Sequence, residues 1–137
     1  MRRRSVLGLM ALTLSACREL PQKLLIPVPP ETVREWVRRG VETPDAAGAP
    51  EPMRSLRPKS WVRAGYFHAR RSVQVEAFGF DSSAGALEAA QKWHFREGAV
   101  VRLRGQIFLV FSSNEFDQDE LRETARILEA AWFASGR

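Results

Sequence analysis

The second half of the chain is a regular series of apolar and polar positions. Ser60 to Ala69 and Ser72 to Phe80 are β-type segments; in the second, Val73, Val75 and Ala77 alternate with Gln74 and Glu76, one face buried and one wet. Ala69-Arg70-Arg71-Ser72 supplies the turn between them. Asp81-Ser82-Ser83 offers N-cap side chains to a helix running to about Phe95, with Leu87, Ala90 and Trp93 or His94 on one stripe. Gly98 breaks that helix. Val101 and Leu103 then alternate with Arg102 and Arg104, Gly105 makes a turn, and Gln106 to Phe111 is the most apolar strand, predicted to lie centrally with both faces covered. Asp117 followed by Glu120 is a capping-box-like start for a last helix, whose stripe is Leu121, Ala125, Leu128 and Trp132 and whose stop is Gly136. This order predicts an α+β domain over residues 59–137: ββαββα, a four-stranded antiparallel sheet with both helices packed on one face.

Proline divides this unit from what precedes it. All eight prolines lie at or before Pro58, and a residue that fixes φ and lacks an N–H resists packed helices and sheets. Residues 17–58 are therefore expected to form an anchor and a Pro-rich stalk, with Thr43 to Pro52 the least ordered part. One short helix is expected within it, near 31–39. Val33, Trp36 and Val37 fall at i, i+3 and i+4, Glu31 stands near the start, Arg38 and Arg39 occupy the last turn, and Gly40 follows. It would dock its Trp36 stripe on the domain or serve as a short motif for a partner or the membrane interface.

The first seventeen residues carry the clearest motif. Met1-Arg2-Arg3-Arg4 is cationic, Ser5 to Leu14 is mostly apolar, and Leu14-Ser15-Ala16-Cys17 follows. The apolar run is too short to span a bilayer, which takes about 20 residues, and suits the core of a signal peptide. The tetrapeptide resembles the lipobox of bacterial lipoprotein precursors: a branched aliphatic residue, two small residues and a cysteine. That resemblance covers residues 1–17 only. It implies a signal peptide over 1–16, cleavage between Ala16 and Cys17, and lipid on the Cys17 sulfur and its new amine. Arg18 rather than aspartate follows the cysteine. By resemblance to enterobacterial lipoproteins this implies the outer membrane, facing the periplasm.

Composition changes the picture at two points. The full chain carries 21 Lys+Arg against 16 Asp+Glu, but residues 1–16 contain three of the arginines and no acid, leaving 18 against 16. Most of the surplus that would suggest nucleic acid is in the discarded part, and no nucleic-acid partner is expected. One Cys and two His build neither an internal disulfide nor a His/Cys zinc site. No cofactor or metal is expected.

No specific catalytic constellation stands out, and the protein is not expected to be an enzyme. His68 beside Tyr66 and Phe67, and His94 beside Trp93, read as structural histidines. Ser112 or Ser113 with either histidine is a triple of a kind most chains offer. The acidic run Glu115 to Glu120 reads as a helix start complementing the dipole. Arg102 and Arg104 point the same way; with Arg63 and Arg71 on that face they would form a cationic binding surface. The expectation is a lipid-anchored cell-envelope protein that binds or scaffolds, its partners the membrane through Cys17 and an envelope protein. The alternatives are a binder of an anionic envelope polymer, peptidoglycan or lipopolysaccharide, and an anchored hydrolase.

Overall fold

Three hairpins build the sheet, and each closes through a two-residue turn whose first residue has positive φ. In the computed structural model, which describes residues 26–134, β1 (Thr32–Val33) turns through Arg34 (φ 54°) into β2 (Trp36–Glu42). β3 (Ser60–His68) turns through Ala69 (φ 56°) into β4 (Arg71–Gly79), and β5 (Ala99–Arg104) turns through Gly105 (φ 59°) into β6 (Ile107–Ser112). Such turns match the twist of the strands they join. The strands form one antiparallel sheet in the order β1-β2-β3-β4-β6-β5. Among the described residues two helices complete the fold: α1 (Ser83–Lys92) and α2 (Gln118–Ala134). The class is α+β as expected, with six strands rather than four.

The two helices lie on opposite faces, not on one. Ile107, Leu109 and Phe111 of β6 pack with Val73, Val75 and Ala77 of β4 against Leu121, Ala125, Leu128 and Trp132 of α2. Phe108 and Val110, pointing the other way, pack with Trp61 and Phe78 against Ala86 and Ala89 of α1. β6 lacks alternation because it lies between β4 and β5 with a helix over each face. The stripe expected on α1 is rotated: Ala86 and Ala89 are buried whereas Leu87 is exposed.

Both helix starts are capped as their sequences require. Ser82 Oγ accepts from the Gly85 N–H at 3.2 Å. Asp117 Oδ1 accepts from the Glu120 N–H at 2.8 Å, while Glu120 Oε1 accepts from the Asp117 N–H at 3.4 Å. The expected stop at Gly136 lies outside the described residues. Among the described residues no helix is long and apolar enough to cross a membrane.

Residues 31–39 form a β-hairpin instead of the expected helix. The i, i+3 spacing of Val33 and Trp36 is ambiguous: a two-residue turn also sets those two positions opposite each other, and here Val33 pairs with Trp36. Both sink under α2, while Val37 points to the other face and is exposed. β2 then pairs with β3, with a bulge at Gly40 (φ 76°).

Nor do residues 26–58 stand off as a stalk. Pro27, Pro29 and Pro30 offer carbonyls that side chains satisfy: Trp132 Nε1–H donates to Pro27 at 2.8 Å, Arg38 to Pro29 at 2.5 Å, and the Tyr66 hydroxyl to Pro30 at 2.6 Å. Further on, 3-10 turns at Ala46–Gly48 and Arg54–Leu56 bring Ala49 and Met53, both fully buried, onto Trp61 and Phe78 beside α1. Glu51 pins the second turn by accepting from the Ser55 N–H and hydroxyl, which hold its carboxyl below the usual carboxylate range. Proline here shapes a packed cover; it does not prevent one.

Candidate functional site

Of the residues singled out in the sequence, Ala16 and Cys17 lie outside the described residues. The four arginines lie within them and do not form one surface. Arg71, Arg102 and Arg104 are on the α2 face. Arg63 is on the other, because β3 and β4 set Arg63 against Glu76 and Ala64 against Val75. Each has an acidic partner. Arg63 lies between Glu42 at 3.7 Å and Glu76 at 4.0 Å. Arg71 meets Glu120 at 3.3 Å and stacks over Phe116. Arg102 and Arg104 converge on one carboxylate, Glu129 of α2, which is only 5% exposed.

The acidic run is likewise occupied. Asp117 and Glu120 cap α2, Asp119 pairs with Arg122, and Glu115 holds the loop before the helix. His68 stands edge-on to Trp36 on the α2 face, and His94 follows α1 in solvent. Among the described residues neither Ser112 nor Ser113 hydrogen-bonds a histidine, Ser113 Oγ being engaged by Ser72 and Glu115, so the triple is not assembled. Among the described residues, no three of His, Cys, Asp and Glu converge as a metal site would need.

What the sheet does offer is an uncovered region. α1 and the two 3-10 turns cover the face opposite α2 over Trp61, Phe78, Phe108 and Val110, and stop there. Beyond them lie Val37 and Arg39 of β2, Phe67 of β3, Gln74 of β4 and Ser112 of β6. A hollow of about 460 Å³ opens among Gly65, Phe67, Gln74, Ser112, Asn114 and Glu115. Gly65 gives it depth: a Cβ there would stand 3.2 Å from Phe67 Cε1, so its absence lets the phenyl ring lie along the strand. The Arg39 guanidinium sits 5.0 Å from the centre of that ring, within cation–π range.

One rim is rigid. The Ser72 N–H and hydroxyl both donate to Glu115 Oε1, at 2.9 and 3.1 Å. Ser113 Oγ donates to the Ser72 carbonyl at 2.7 Å and accepts from the Glu115 N–H at 3.1 Å. The floor and far rim differ. Among the described residues, the side chains of Gln74, Ser112 and Asn114 carry no hydrogen bond, and Arg39 has no carboxylate partner. Two amides, a hydroxyl and an aromatic ring therefore line one hollow beside the Glu115 carboxylate, with the Arg39 cation against the ring outside it, a lining suited to fixing a polar ligand of hydroxyls and amides.

Neither Phe67, Gln74 and Asn114 nor Arg39 was singled out in the sequence. The signal available was phase: Tyr66 and Val73 belong to the buried face, which sends Phe67 and Gln74 to the other. Arg39 was hidden by the helical spacing around Trp36. Compared with known protein families, curated proteins and solved structures, the chain matches none.

Proposed function

We propose that this is a lipid-anchored cell-envelope protein, held through Cys17 at the periplasmic side of the outer membrane, whose domain binds a ligand rather than catalysing a reaction. The observation that carries the binding reading is the hollow on the open sheet face, where Gln74, Ser112 and Asn114 surround the Phe67 ring with unspent hydrogen-bonding capacity. The lipobox resemblance supplies the anchor. The anchor and the body are close: Cys17 and Ile26 are separated by nine chain steps, which span at most roughly 30 Å. Ile26 packs on the α2 side of the sheet, the face opposite the hollow.

A second reading, an anionic envelope polymer as ligand, is favoured by Arg39, which has no carboxylate partner among the described residues and stands against the Phe67 ring at the hollow's margin. The four arginines first expected to do this are turned to carboxylates. Sedimentation with purified peptidoglycan tests both readings. The parent chain should pellet with it, and Gln74→Ala with Asn114→Ala should release it. Arg39→Gln should release it only if binding also falls with added salt. A parent that stays in the supernatant, or a double variant that pellets as the parent does, contradicts the hollow as the ligand site.

A further inference from the structure

The two edges of the sheet are finished differently. β1 is two residues long and follows Pro29 and Pro30, which blunt it. β5 is six residues long, and among the described residues no strand lies beyond it in the sheet. Its outward backbone groups can be assigned from the turn. Arg104 and Ile107 flank the Gly105-Gln106 turn and close the ladder, Arg102–Leu109 and Val100–Phe111 continue it, and the Ser113 N–H bonds the Gly98 carbonyl in the same phase. The N–H and C=O of Ala99, Val101 and Leu103 therefore point away from β6. Gln118 Nε2–H takes the Ala99 carbonyl at 3.0 Å, leaving Val101 and Leu103 without a partner among the described residues.

Exposed apolar side chains gather along this edge. Leu103 is 42% exposed, Phe95 76% and Leu87 49%. Leu87 lies one turn before Ala90, which with Trp93, Phe95 and Val101 lines a shallow hollow of about 310 Å³. This is the stripe whose spacing predicted a core contact, and Leu87 is left half-exposed by the described residues. The other side of the strand is charged: Arg102 and Arg104 share the single carboxylate of Glu129, leaving one positive charge in excess.

We infer that β5 accepts an added strand: an extended segment of a partner protein in which acidic and apolar residues alternate. Its backbone would pair with Val101 and Leu103, its apolar side chains would meet Leu103, Leu87 and Phe95, and its acids would meet Arg102 and Arg104. Charge selects this occupant over a second copy. A symmetric pairing that joins Val101 to Leu103 of another chain sets Arg102 against its own equivalent, and like charges directly opposite disfavour the pair. This inference is independent of the hollow on the open face.

The test uses the full chain in non-ionic detergent and a short capped peptide alternating glutamate and valine, with a lysine–valine peptide as control. Saturable binding of the acidic peptide should shift the Val101 and Leu103 amide resonances, and the lysine peptide should bind at least about tenfold more weakly. Leu103→Pro removes an outward N–H and no β5–β6 bond, so it should abolish binding while thermal unfolding stays cooperative. Leu103→Ala, which keeps the N–H, should weaken binding less. Equal binding of the two peptides, or no change at the Val101 and Leu103 amides, overturns the inference. Dimerisation of the parent without peptide, lost in Leu103→Pro, overturns it in favour of a second copy.

Discussion

Beneath α2 the sheet presents Val73, Val75, Leu109 and Phe111, all fully covered, and the helix answers with Leu121, Leu128 and Trp132. Beneath α1 the same strands present Phe78, Phe108 and Val110, and the helix answers with alanines: Ala86 and Ala89, both buried, and the partly buried Ala90. The first face is covered by long side chains along a 17-residue helix. The second is covered by a 10-residue helix of small residues and a Pro-bearing segment contributing Ala49 and Met53, and beyond them it is open. Burying a Leu or Phe side chain contributes about 1.5–3 kcal/mol, so the α2 face holds most of the stability. The other face is free to carry polar groups that stability does not require.

The largest expected effect tests that division. Trp132→Ala removes the largest fully buried side chain of the α2 face together with its bond to Pro27, and should cost about 3–5 kcal/mol in denaturant unfolding. Trp93→Ala, at the partly buried end of the other face, should cost less than half as much. Equal losses would erase the distinction between the faces. Next in size is Ala86→Leu. The alanine is fully buried under α1, and overpacking there should cost about 1–3 kcal/mol. A stabilising effect would mean that the thin side has room to spare.

Glu129→Ala should follow at about 1–2 kcal/mol. It leaves Arg102 and Arg104 without their shared partner, but both reach solvent and recover part of the loss by hydration. A gentler effect concerns Tyr66, whose hydroxyl bonds the Pro30 carbonyl under the α2 face. Burial pushes its pKa up from 10.0 to about 12. The folded state therefore holds the proton more tightly than the unfolded chain does. The stability this confers is complete below about pH 10 and is lost as pH rises toward about 12. Tyr66 is the chain's one tyrosine, so phenolate absorbance follows it alone. Ionisation near pH 10 with the fold intact would contradict its burial.

The parts legible in the sequence were those where one periodicity had one meaning. The phase of Val73, Val75 and Ala77, the capping pair Asp117 and Glu120, and the stripe through Leu121, Ala125, Leu128 and Trp132 each lead directly to the observed element. So does the unbroken apolar run of β6, whose lack of alternation is the mark of cover on both faces. The same mark implied two helices on two faces, an inference that Phe78 and Phe80, out of phase with Val73 and Val75, would have supported.

Less legible was the β1–β2 hairpin. Its turn uses Arg34 at positive φ, where Asn or Gly would have announced it, and Val33 and Trp36 satisfy helix and hairpin spacing equally. The Pro-rich segment was misread because its burial depends on two residues, Ala49 and Met53, and on distant donors in Tyr66 and Trp132. The hollow was hardest to see. Its residues come from three strands and a loop, and their convergence is a property of register, which no local pattern states.

The central claim is that the open face, and not the α2 face, meets the ligand. It is tested most directly by nuclear magnetic resonance titration of the full chain with soluble peptidoglycan fragments. Saturable shifts should be confined to Gly65, Phe67, Gln74, Ser112 and Asn114, with Arg39 joining them if the fragment is anionic. Shifts clustered on α2, or no saturable shift at any of these residues, would contradict the account.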